Sequence, residues 1–273
     1  MPDPATAVPP LLIDTKRLTK SFGDHVAVDR VDLQVRDREI FALIGPNGAG
    51  KSTLIKMLAT LLPPTSGEAQ VAGFDLRRQA KDVRAHIGYV PQLLSADGAL
   101  TGYENLLLSA RLYLIPRSER DQRIREALER TELTGVADRL AQHYSGGMLR
   151  RLEIAQSTLH RPGLLIMDEP TVGLDPVART AVWNHVRDLR DNFGTTILIT
   201  SHVMEEVEAL ADRIGILHRG RLETVGTAAE LKASVGPNAT LDDVFAKVVS
   251  GDSEASDDTQ DARRTRRSAI SHG

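Results

Sequence analysis

The chain has 273 residues, of which 41% are hydrophobic and 26% are charged, so it can bury a sizeable core and is not disordered throughout. Its 34 Lys and Arg residues and 37 Asp and Glu residues give a net charge of −3, which excludes the strongly basic surface field typical of nucleic-acid-binding proteins. The absence of cysteine excludes disulfides, thiolate metal sites and thiol catalysis. The apolar runs are shorter than the roughly 20 residues that a membrane-spanning helix needs.

The first part of the chain is predicted to be rich in strands. Residues 1–10 contain several prolines and alanines and are predicted to be a flexible lead-in. Short apolar or alternating runs predict strands at Leu11–Phe22, Val26–Val35 and Ile40–Ile44. A glycine-rich turn follows, and beyond it the pattern predicts a helix over Lys51–Leu62, ended by two prolines, and a strand over His86–Val90.

The middle of the chain changes to a helical period. Thr101 and Glu104 have the spacing of a capping box, which predicts a helix that begins there and continues through Tyr113. A second helix is predicted over Glu119–Glu129, and a third from the buried stripe of Met148, Leu152, Ala155 and Leu159. Residues of about 95–160 are therefore predicted to form a helical subdomain inserted into an alternating β/α chain.

The last part returns to alternation of strands and helices. Buried strands are predicted at Leu164–Met167 and Thr196–Thr200, and Asp175-Pro176 is typical of the start of a helix between them. A hairpin over Ile214–Val225 and small helices near residues 227–234 and 241–249 complete the predicted fold. Residues 251–273 lack apolar periodicity and are predicted to be a disordered tail. We expect an α/β fold with a mixed sheet flanked by helices.

The most specific motif is Gly45-Pro46-Asn47-Gly48-Ala49-Gly50-Lys51-Ser52, which lies between a predicted strand and a predicted helix. It matches the phosphate-binding loop G-x-x-x-x-G-K-[ST], in which glycines let successive backbone N–H groups face phosphate oxygens. The next helix would add its N-terminal dipole, Lys51 is expected to reach the β- and γ-phosphates, and Ser52 is expected to bind Mg²⁺. The motif predicts nucleotide binding, with Thr53 also at the phosphate site.

A second motif is the apolar strand that ends in Asp168-Glu169. A carboxylate at the end of a buried strand, opposite a phosphate loop, is suited to hold Mg²⁺ or its water, so Asp168 is a predicted metal ligand. Glu169 is predicted to polarise the attacking water. An acidic pair that only caps a strand is the structural alternative for this dipeptide.

Together with a third motif, Tyr144-Ser145-Gly146-Gly147-Met148, these residues resemble the ATP-binding subunits of ABC transporters. The resemblance covers about residues 11–250 and implies a P-loop NTPase core. The small residues Ser145, Gly146 and Gly147 begin a helix and would face the γ-phosphate held by another subunit. The resemblance therefore implies a homodimer with ATP sandwiched between two copies.

Other positions take their expected roles from the same resemblance. Gln92 resembles the glutamine that contacts Mg²⁺ and the attacking water, and His202 the histidine that contacts the γ-phosphate. Asp175 lies in a segment similar to the loop that links the two sites of the dimer, although it also has the position of a simple helix cap. Phe22 resembles the aromatic residue that stacks on adenine, with a core position as its alternative.

The third motif departs from the common family pattern at its two ends, where Tyr144 and Met148 replace the usual Leu and Gln. This form, with Arg150-Arg151 after it and residues 241–245 near the end, is similar to the daunorubicin-resistance type of drug-exporter ATPases. The similarity implies a separate membrane-spanning permease, a location at the cytoplasmic face of the cell membrane, and export of a drug, antibiotic or other hydrophobic compound. A docking surface for the permease is expected near Gln92–Glu104.

Three alternatives remain open at the level of the sequence. One is a soluble ABC-type ATPase that acts on nucleic acid or the ribosome, although neither a long coiled coil nor a second ATPase half is visible, and no nucleic-acid partner is expected. Another is the ATPase subunit of an importer, which has the same motifs. The third is a catalytically silent regulator, which the intact Lys51, Asp168, Glu169 and His202 disfavour.

Overall fold

A computed structural model describes residues 10–250. The predicted lead-in of residues 1–10, apart from Pro10, and the predicted tail of residues 251–273 lie outside this range. The described chain contains two sheets, whose eleven strands are β1 Leu11–Phe22, β2 His25–Val31, β3 Gln34–Arg36, β4 Ile40–Ile44, β5 Ser66–Val71, β6 Phe74–Asp75, β7 Ile87–Val90, β8 Leu164–Asp168, β9 Thr196–Ser201, β10 Arg213–His218 and β11 Arg221–Gly226.

Residues 10–250 also contain nine α-helices. They are α1 Lys51–Leu58, α2 Ala80–His86, α3 Gly102–Leu112, α4 Arg117–Arg130, α5 Gly146–Thr158, α6 Pro176–Asp191, α7 Met204–Leu210, α8 Ala228–Ala233 and α9, residues 241–250. Two short 3₁₀ helices precede α5, at Thr134–Val136 and Ala141–His143. Within residues 10–250, no helix is both long and apolar enough to span a bilayer.

The larger sheet has the strand order β11-β10-β4-β9-β8-β7 and is parallel except for the β10–β11 hairpin. Its central strands β4, β8 and β9 are buried along their whole length, because helices or the other sheet cover both of their faces. In β4, for example, Phe41 and Leu43 pack into one core cluster, and Ile40, Ala42 and Ile44 pack into another on the opposite face. The predicted α/β fold with a mixed sheet is confirmed.

The smaller sheet is antiparallel and lies over α1. Its order is β2-β1-β5-β6, with β3 also paired to β1. The alternating pattern predicts one strand over Val26–Val35, and this prediction is wrong. The chain turns after Val31, and β2 and β3 pair with different ends of β1, because Thr15 accepts the Leu33 N–H through Oγ1 and donates to the Val31 carbonyl.

Two helix boundaries also differ from prediction. Helix α1 ends at Leu58 rather than Leu62, since Thr60 takes a left-handed backbone conformation with φ of 60° that stops the helix before the prolines. His86 ends helix α2 rather than beginning a strand, so β7 starts at Ile87. Strands β5 and β6 and helices α2 and α7 were not predicted at all.

Helices α3, α4 and α5 occupy the connection between the neighbouring strands β7 and β8. They share a hydrophobic cluster of their own, which contains Leu106, Ile124, Leu128 and Leu152. Helix α5 also packs against β7 and α6, so it joins this cluster to the larger sheet. The capping box at the start of α3 is confirmed, because Thr101 accepts the Glu104 N–H and Glu104 accepts the Thr101 N–H.

Candidate functional site

The phosphate-loop motif occupies the turn between β4 and α1, at the carboxyl end of the larger sheet. Gly48 and Gly50 have φ of 81° and 103°, a left-handed conformation that residues with a side chain rarely adopt. A Cβ atom on Gly50 would lie 2.3 Å from the carbonyl oxygen of Ala27, so the β2 strand also requires glycine there. The loop therefore has the backbone that its sequence predicts.

Lys51 is folded back over this loop. Its ammonium Nζ donates to the carbonyl oxygens of Gly45 at 2.7 Å and Pro46 at 3.3 Å, and lies 3.7 Å from Glu169 Oε1. The side chain is almost wholly buried, and this burial lowers the pKa of Lys51, while the charges of Glu169 and Asp168 act to raise it. The result is a cation held directly beside the loop.

Asp168 and Glu169 stand at the end of β8 and face α1. Asp168 Oδ1 accepts from Ser52 Oγ at 3.2 Å and from Thr200 Oγ1 at 2.7 Å. The Glu169 backbone N–H donates to the same Thr200 hydroxyl at 2.9 Å. Glu169 has a φ of 47°, which is uncommon for a residue with a side chain and is frequent at functional sites. Parallel pairing of β8 with β9 brings these groups together.

The Glu169 carboxylate receives two further side chains. Gln92 Nε2 donates to Glu169 Oε2 at 3.1 Å, and His202 Nδ1 lies 3.4 Å from Glu169 Oε1. Gln92 follows β7 and His202 follows β9, so three strands of one sheet deliver these residues to the same edge. Strand ends of this kind are the usual ligand-binding edge of open α/β sheets.

A cavity of about 360 Å³ lies over the phosphate loop. Its lining contains Phe22, His25, Ala27, Gln92, Glu169 and the loop residues from Pro46 to Thr53. Phe22 is half exposed rather than in the core, and Lys20 Nζ lies 5.1 Å from the centre of its ring. The structure thus gathers most of the predicted nucleotide-site residues around one cavity.

Ser145, Gly146, Gly147 and Asp175 do not line this cavity. Ser145 caps α5 by accepting the Met148 N–H at 3.3 Å, and Asp175 caps α6 by accepting the Ala178 N–H at 2.9 Å. A Cβ atom on Gly147 would lie 2.6 Å from Ala178 Cβ, so this glycine lets α5 and α6 approach closely. These four residues form a second group, at the contact between the two helices.

Three residues of the site are not predicted from the sequence. His25 and Ala27 line the cavity beside Phe22, and nothing in their local pattern distinguishes them from other strand residues. Thr200 binds both Asp168 and the Glu169 backbone. A signal for Thr200 did exist, because it is a hydroxyl at the end of a fully buried strand, where a polar group needs a partner.

Comparison with known proteins agrees with this arrangement. The family model "ABC transporter" matches residues 28–172. The daunorubicin/doxorubicin resistance ATP-binding protein DrrA of Streptomyces peucetius is 45% identical over 230 residues, which are 84% of this chain and 69% of that protein. The linearmycin resistance ATP-binding protein LnrL of Bacillus subtilis (strain 168) is 38% identical over 244 residues, 89% of this chain and 77% of that protein.

Another relative is much longer than the match. It is named "Probable multidrug ABC transporter ATP-binding protein YbhF", from Escherichia coli (strain K12), and is 39% identical over 242 residues. The match covers 87% of this chain but only 42% of that protein's length. The similarity to drug-exporter ATPases that the sequence indicated is therefore confirmed by relatives of different length.

Solved structures show the same fold. The ATP-binding subunit of an ABC transporter superimposes with a TM-score of 0.78 and 31% identity, over 86% of this chain and 98% of that chain. A dimeric ATP-binding cassette in a post-hydrolysis state, bound to ADP and phosphate, has a TM-score of 0.71 and 26% identity, over 79% of this chain and 98% of that chain. The chain belongs to the ABC transporter family and is an ATP-binding, ATP-hydrolysing cassette of that family.

Proposed function

We propose that this ATPase drives export of a drug, antibiotic or other hydrophobic compound through a separate membrane permease. The observation that carries the chemical part is the convergence of Lys51, Asp168, Glu169 and Gln92 on the phosphate loop. The names of the relatives, which include daunorubicin and linearmycin resistance proteins, support the export role.

ATP binds in the cavity over the loop. Phe22 offers an exposed aromatic face for the adenine ring, with the Lys20 ammonium on the same ring. The loop N–H groups and the N-terminus of α1 bind the phosphates, and Lys51 exchanges its carbonyl acceptors for phosphate oxygens. Because Lys51 is already desolvated, this exchange costs little further loss of hydration.

The donor set beside the loop fits Mg²⁺. Ser52 Oγ and Asp168 Oδ1 are hard oxygen ligands only 3.2 Å apart, and Asp168 is 2% exposed. Among the described residues no group of three His, Cys, Asp or Glu side chains could hold a metal by itself. Proteins usually hold Mg²⁺ with few side chains, the rest of its shell being phosphate oxygens and water. Gln92 would be a further ligand beside Ser52 and Asp168. When bound, Mg²⁺ neutralises charge on the phosphates.

The chain's own residues then position the attacking water. Glu169, held by Gln92 and His202, accepts a hydrogen bond from the water and orients it towards the γ-phosphorus. The water oxygen forms the new P–O bond as the bond to the ADP oxygen breaks, which gives ADP and inorganic phosphate. Lys51 and His202 stabilise the negative charge on the equatorial oxygens.

The second group of residues completes this site from another copy of the chain. Ser145, Gly146 and Gly147 do not line the cavity of their own chain, and Ser145 and Gly146 are exposed at the α5 N-terminus, so this helix end can bind a partner's γ-phosphate. Asp175 and the exposed Val177 lie beside them at the start of α6. An ATP-sandwiched homodimer uses both groups, and nucleic acid has no part in it.

The permease docks near residues 92–104 and along α3. Large apolar side chains are exposed there, namely Leu93, Leu94, Leu108 and Leu112. Leu112 also lines a cavity of about 330 Å³, together with Ser95, Glu153 and Gln156. An apolar patch of this kind is typical of a protein–protein contact. Through it the cassette sits at the cytoplasmic face of the membrane.

Replacement of the proposed catalytic carboxylate tests the chemistry. We expect Glu169→Gln to bind ATP as the parent does, to lose at least about 100-fold in kcat, and to accumulate as an ATP-bound dimer. The change is measured by nucleotide binding, phosphate release and sedimentation. Glu205→Gln is the matched control, since Glu205 is exposed on α7. Hydrolysis by Glu169→Gln at the parental rate would refute the role of Glu169.

The transport role is tested by capture of the permease. The ATP-bound Glu169→Gln chain, tagged and recovered from detergent-solubilised membranes of its source cell, should bring down a protein with several apolar stretches of about 20 residues. Leu93→Asp with Leu112→Asp should abolish this capture while ATP hydrolysis by the isolated chain persists. Recovery of only ribosomal or nucleic-acid-bound proteins would contradict the exporter proposal and favour a soluble ABC-type ATPase.

A further inference from the structure

A buried ion pair joins helix α5 to the segment that carries Gln92. Arg150 and Glu153 lie one turn apart on α5, with a distance of 3.0 Å between Nη1 and Oε2. Arg150 is 2% exposed and Glu153 is 1% exposed, so both charges are removed from water. Among the ion pairs of residues 10–250, this one has the most deeply buried partners.

Both members of the pair also bind the backbone or side chains of residues 91–95. Arg150 Nη1 donates to the Pro91 carbonyl at 2.7 Å, and Nη2 donates to the Gln92 carbonyl at 2.8 Å. At the other end of the segment, Glu153 Oε1 accepts from the Ser95 backbone N–H and from Ser95 Oγ. One helix thus holds the segment at both of its ends.

Stability alone is a poor explanation for such a pair. A buried ion pair recovers little more than its desolvation cost, and an apolar pair of the same size is often as stable. Burial lowers the pKa of Arg150, and its Nε has no hydrogen-bond partner among the described residues. The two charges instead fix the position of their partners, because a guanidinium and a carboxylate each make several hydrogen bonds of definite geometry.

We propose that Arg150 and Glu153 are positioning residues, which set the Gln92 amide against Glu169 and tie its placement to helix α5. Gln92 is the only residue of segment 91–95 that reaches Glu169 in the described structure, at 3.1 Å. The arrangement also reaches the N-terminus of α5, since Arg150 lies only five residues, or about 7.5 Å along the axis, beyond the capping Ser145. Displacement of α5 therefore moves Gln92 with it.

This inference rests on the proposed function, and it goes further by assigning a route between two parts of the molecule. When Ser145–Gly147 contact a nucleotide bound to a partner copy, any displacement of α5 would also move Gln92 of the same chain. A nucleotide on one copy would thereby change the geometry of the cavity on the other copy. No catalytic role is given to Arg150 or Glu153, because neither touches the cavity.

A double-mutant cycle on the full chain tests the proposal. We expect Glu153→Gln to lower kcat for ATP hydrolysis about tenfold with little change in KM, since a displacement of about 1 Å in a positioning group costs up to about 100-fold. In a Gln92→Ala background the same change should have almost no effect, because its target is gone. Arg150→Lys, which keeps the charge but not the paired donors, should show the same dependence on Gln92.

Two further variants keep the test decisive. Ser95 is exposed, so Ser95→Ala will fold even if the buried variants do not, and it should lower kcat severalfold in the parent but not in Gln92→Ala. Glu119→Gln, which breaks a surface ion pair on α4, is the matched control and should leave kcat unchanged in both backgrounds.

The outcomes separate the two proposals. Equal fold-losses of kcat with and without Gln92 would mean that the ion pair serves structure only, and would overturn this inference while the ATPase chemistry stands. Absence of ATP hydrolysis by the unmodified chain, or an unchanged rate in Gln92→Ala, would instead contradict the proposed function. A loss confined to chains that contain Gln92 supports the positioning role.

Discussion

Thr200 fixes the positions of Asp168 and Glu169 relative to each other. Its hydroxyl donates to Asp168 Oδ1 and accepts the Glu169 backbone N–H, and the residue is fully buried. Both partners are themselves buried, so neither can turn to water if the hydroxyl is lost. A single side chain from β9 therefore sets the geometry of the end of β8.

We expect Thr200→Val to lower the free energy of unfolding by about 2 kcal/mol and to reduce kcat, because the shape is kept while two buried polar groups lose a partner. Denaturant unfolding and phosphate release measure the two effects. Thr158→Val is the control, since that hydroxyl binds carbonyl oxygens within its own helix. Equal losses in the two variants would contradict a special role for Thr200.

Residues with a motif could be predicted, and residues without one could not. The phosphate loop, Asp168 and Glu169 each have a spacing that reflects backbone or charge requirements, so the sequence alone could assign them to the candidate site. Ala27 contributes a backbone carbonyl close to Gly50, and any residue could supply that group. Thr200 acquires its importance only from the pairing of β8 with β9, which is a contact between residues 32 positions apart.

At the scale of elements, local signals located the starts of helices better than their ends. The capping box of α3 and the Asp175-Pro176 start of α6 lie where the sequence predicted them. Strand β5 was missed because only Ala69 and Val71 of its six residues are buried, and its strand conformation comes from pairing with β1. Helix α1 was predicted too long, since apolar residues continue beyond the residue that ends the helix.

The capping box of α3 provides a measurable contribution at this scale. We expect Thr101→Ala to lower the free energy of unfolding by about 1 kcal/mol, because the Glu104 N–H loses its acceptor. Thr101→Ser, which keeps the hydroxyl oxygen, should recover most of the loss. Denaturant unfolding of the three chains makes the comparison. A serine variant as weak as the alanine variant would show that the methyl group of Thr101, and not the cap, stabilises the helix.

At the scale of the whole molecule, a buried histidine makes stability depend on pH. His185 of α6 is 7% exposed, and burial lowers its pKa to about 4. The charged groups that act on it are Asp188 on its own helix and Arg130, Arg151 and Glu132 on the facing segments. Its unfolded form takes up a proton near pH 6.5, well before the folded form does.

The contribution of His185 to the free energy of unfolding is therefore fully present above about pH 6.5. It falls by up to about 3 kcal/mol as the pH decreases towards 4. We expect the free energy of unfolding to decline over this range and the decline to be smaller in His185→Leu. Part of it should remain, because burial also lowers the pKa of His160 to about 4. The exposed His143→Leu is the control, and the same slope in all three chains would refute the assignment.

The connection between β7 and β8 is longer than the fold of the larger sheet requires. Two neighbouring parallel strands need only one crossover helix between them, and α5 alone meets that need because it packs on β7. Helices α3 and α4 are additional to the crossover, and lengthening a connection costs little chain entropy. They can therefore be exchanged between homologues as a graft. We expect such a chimera to keep its ATP chemistry while the proposed permease-docking surface along α3 changes.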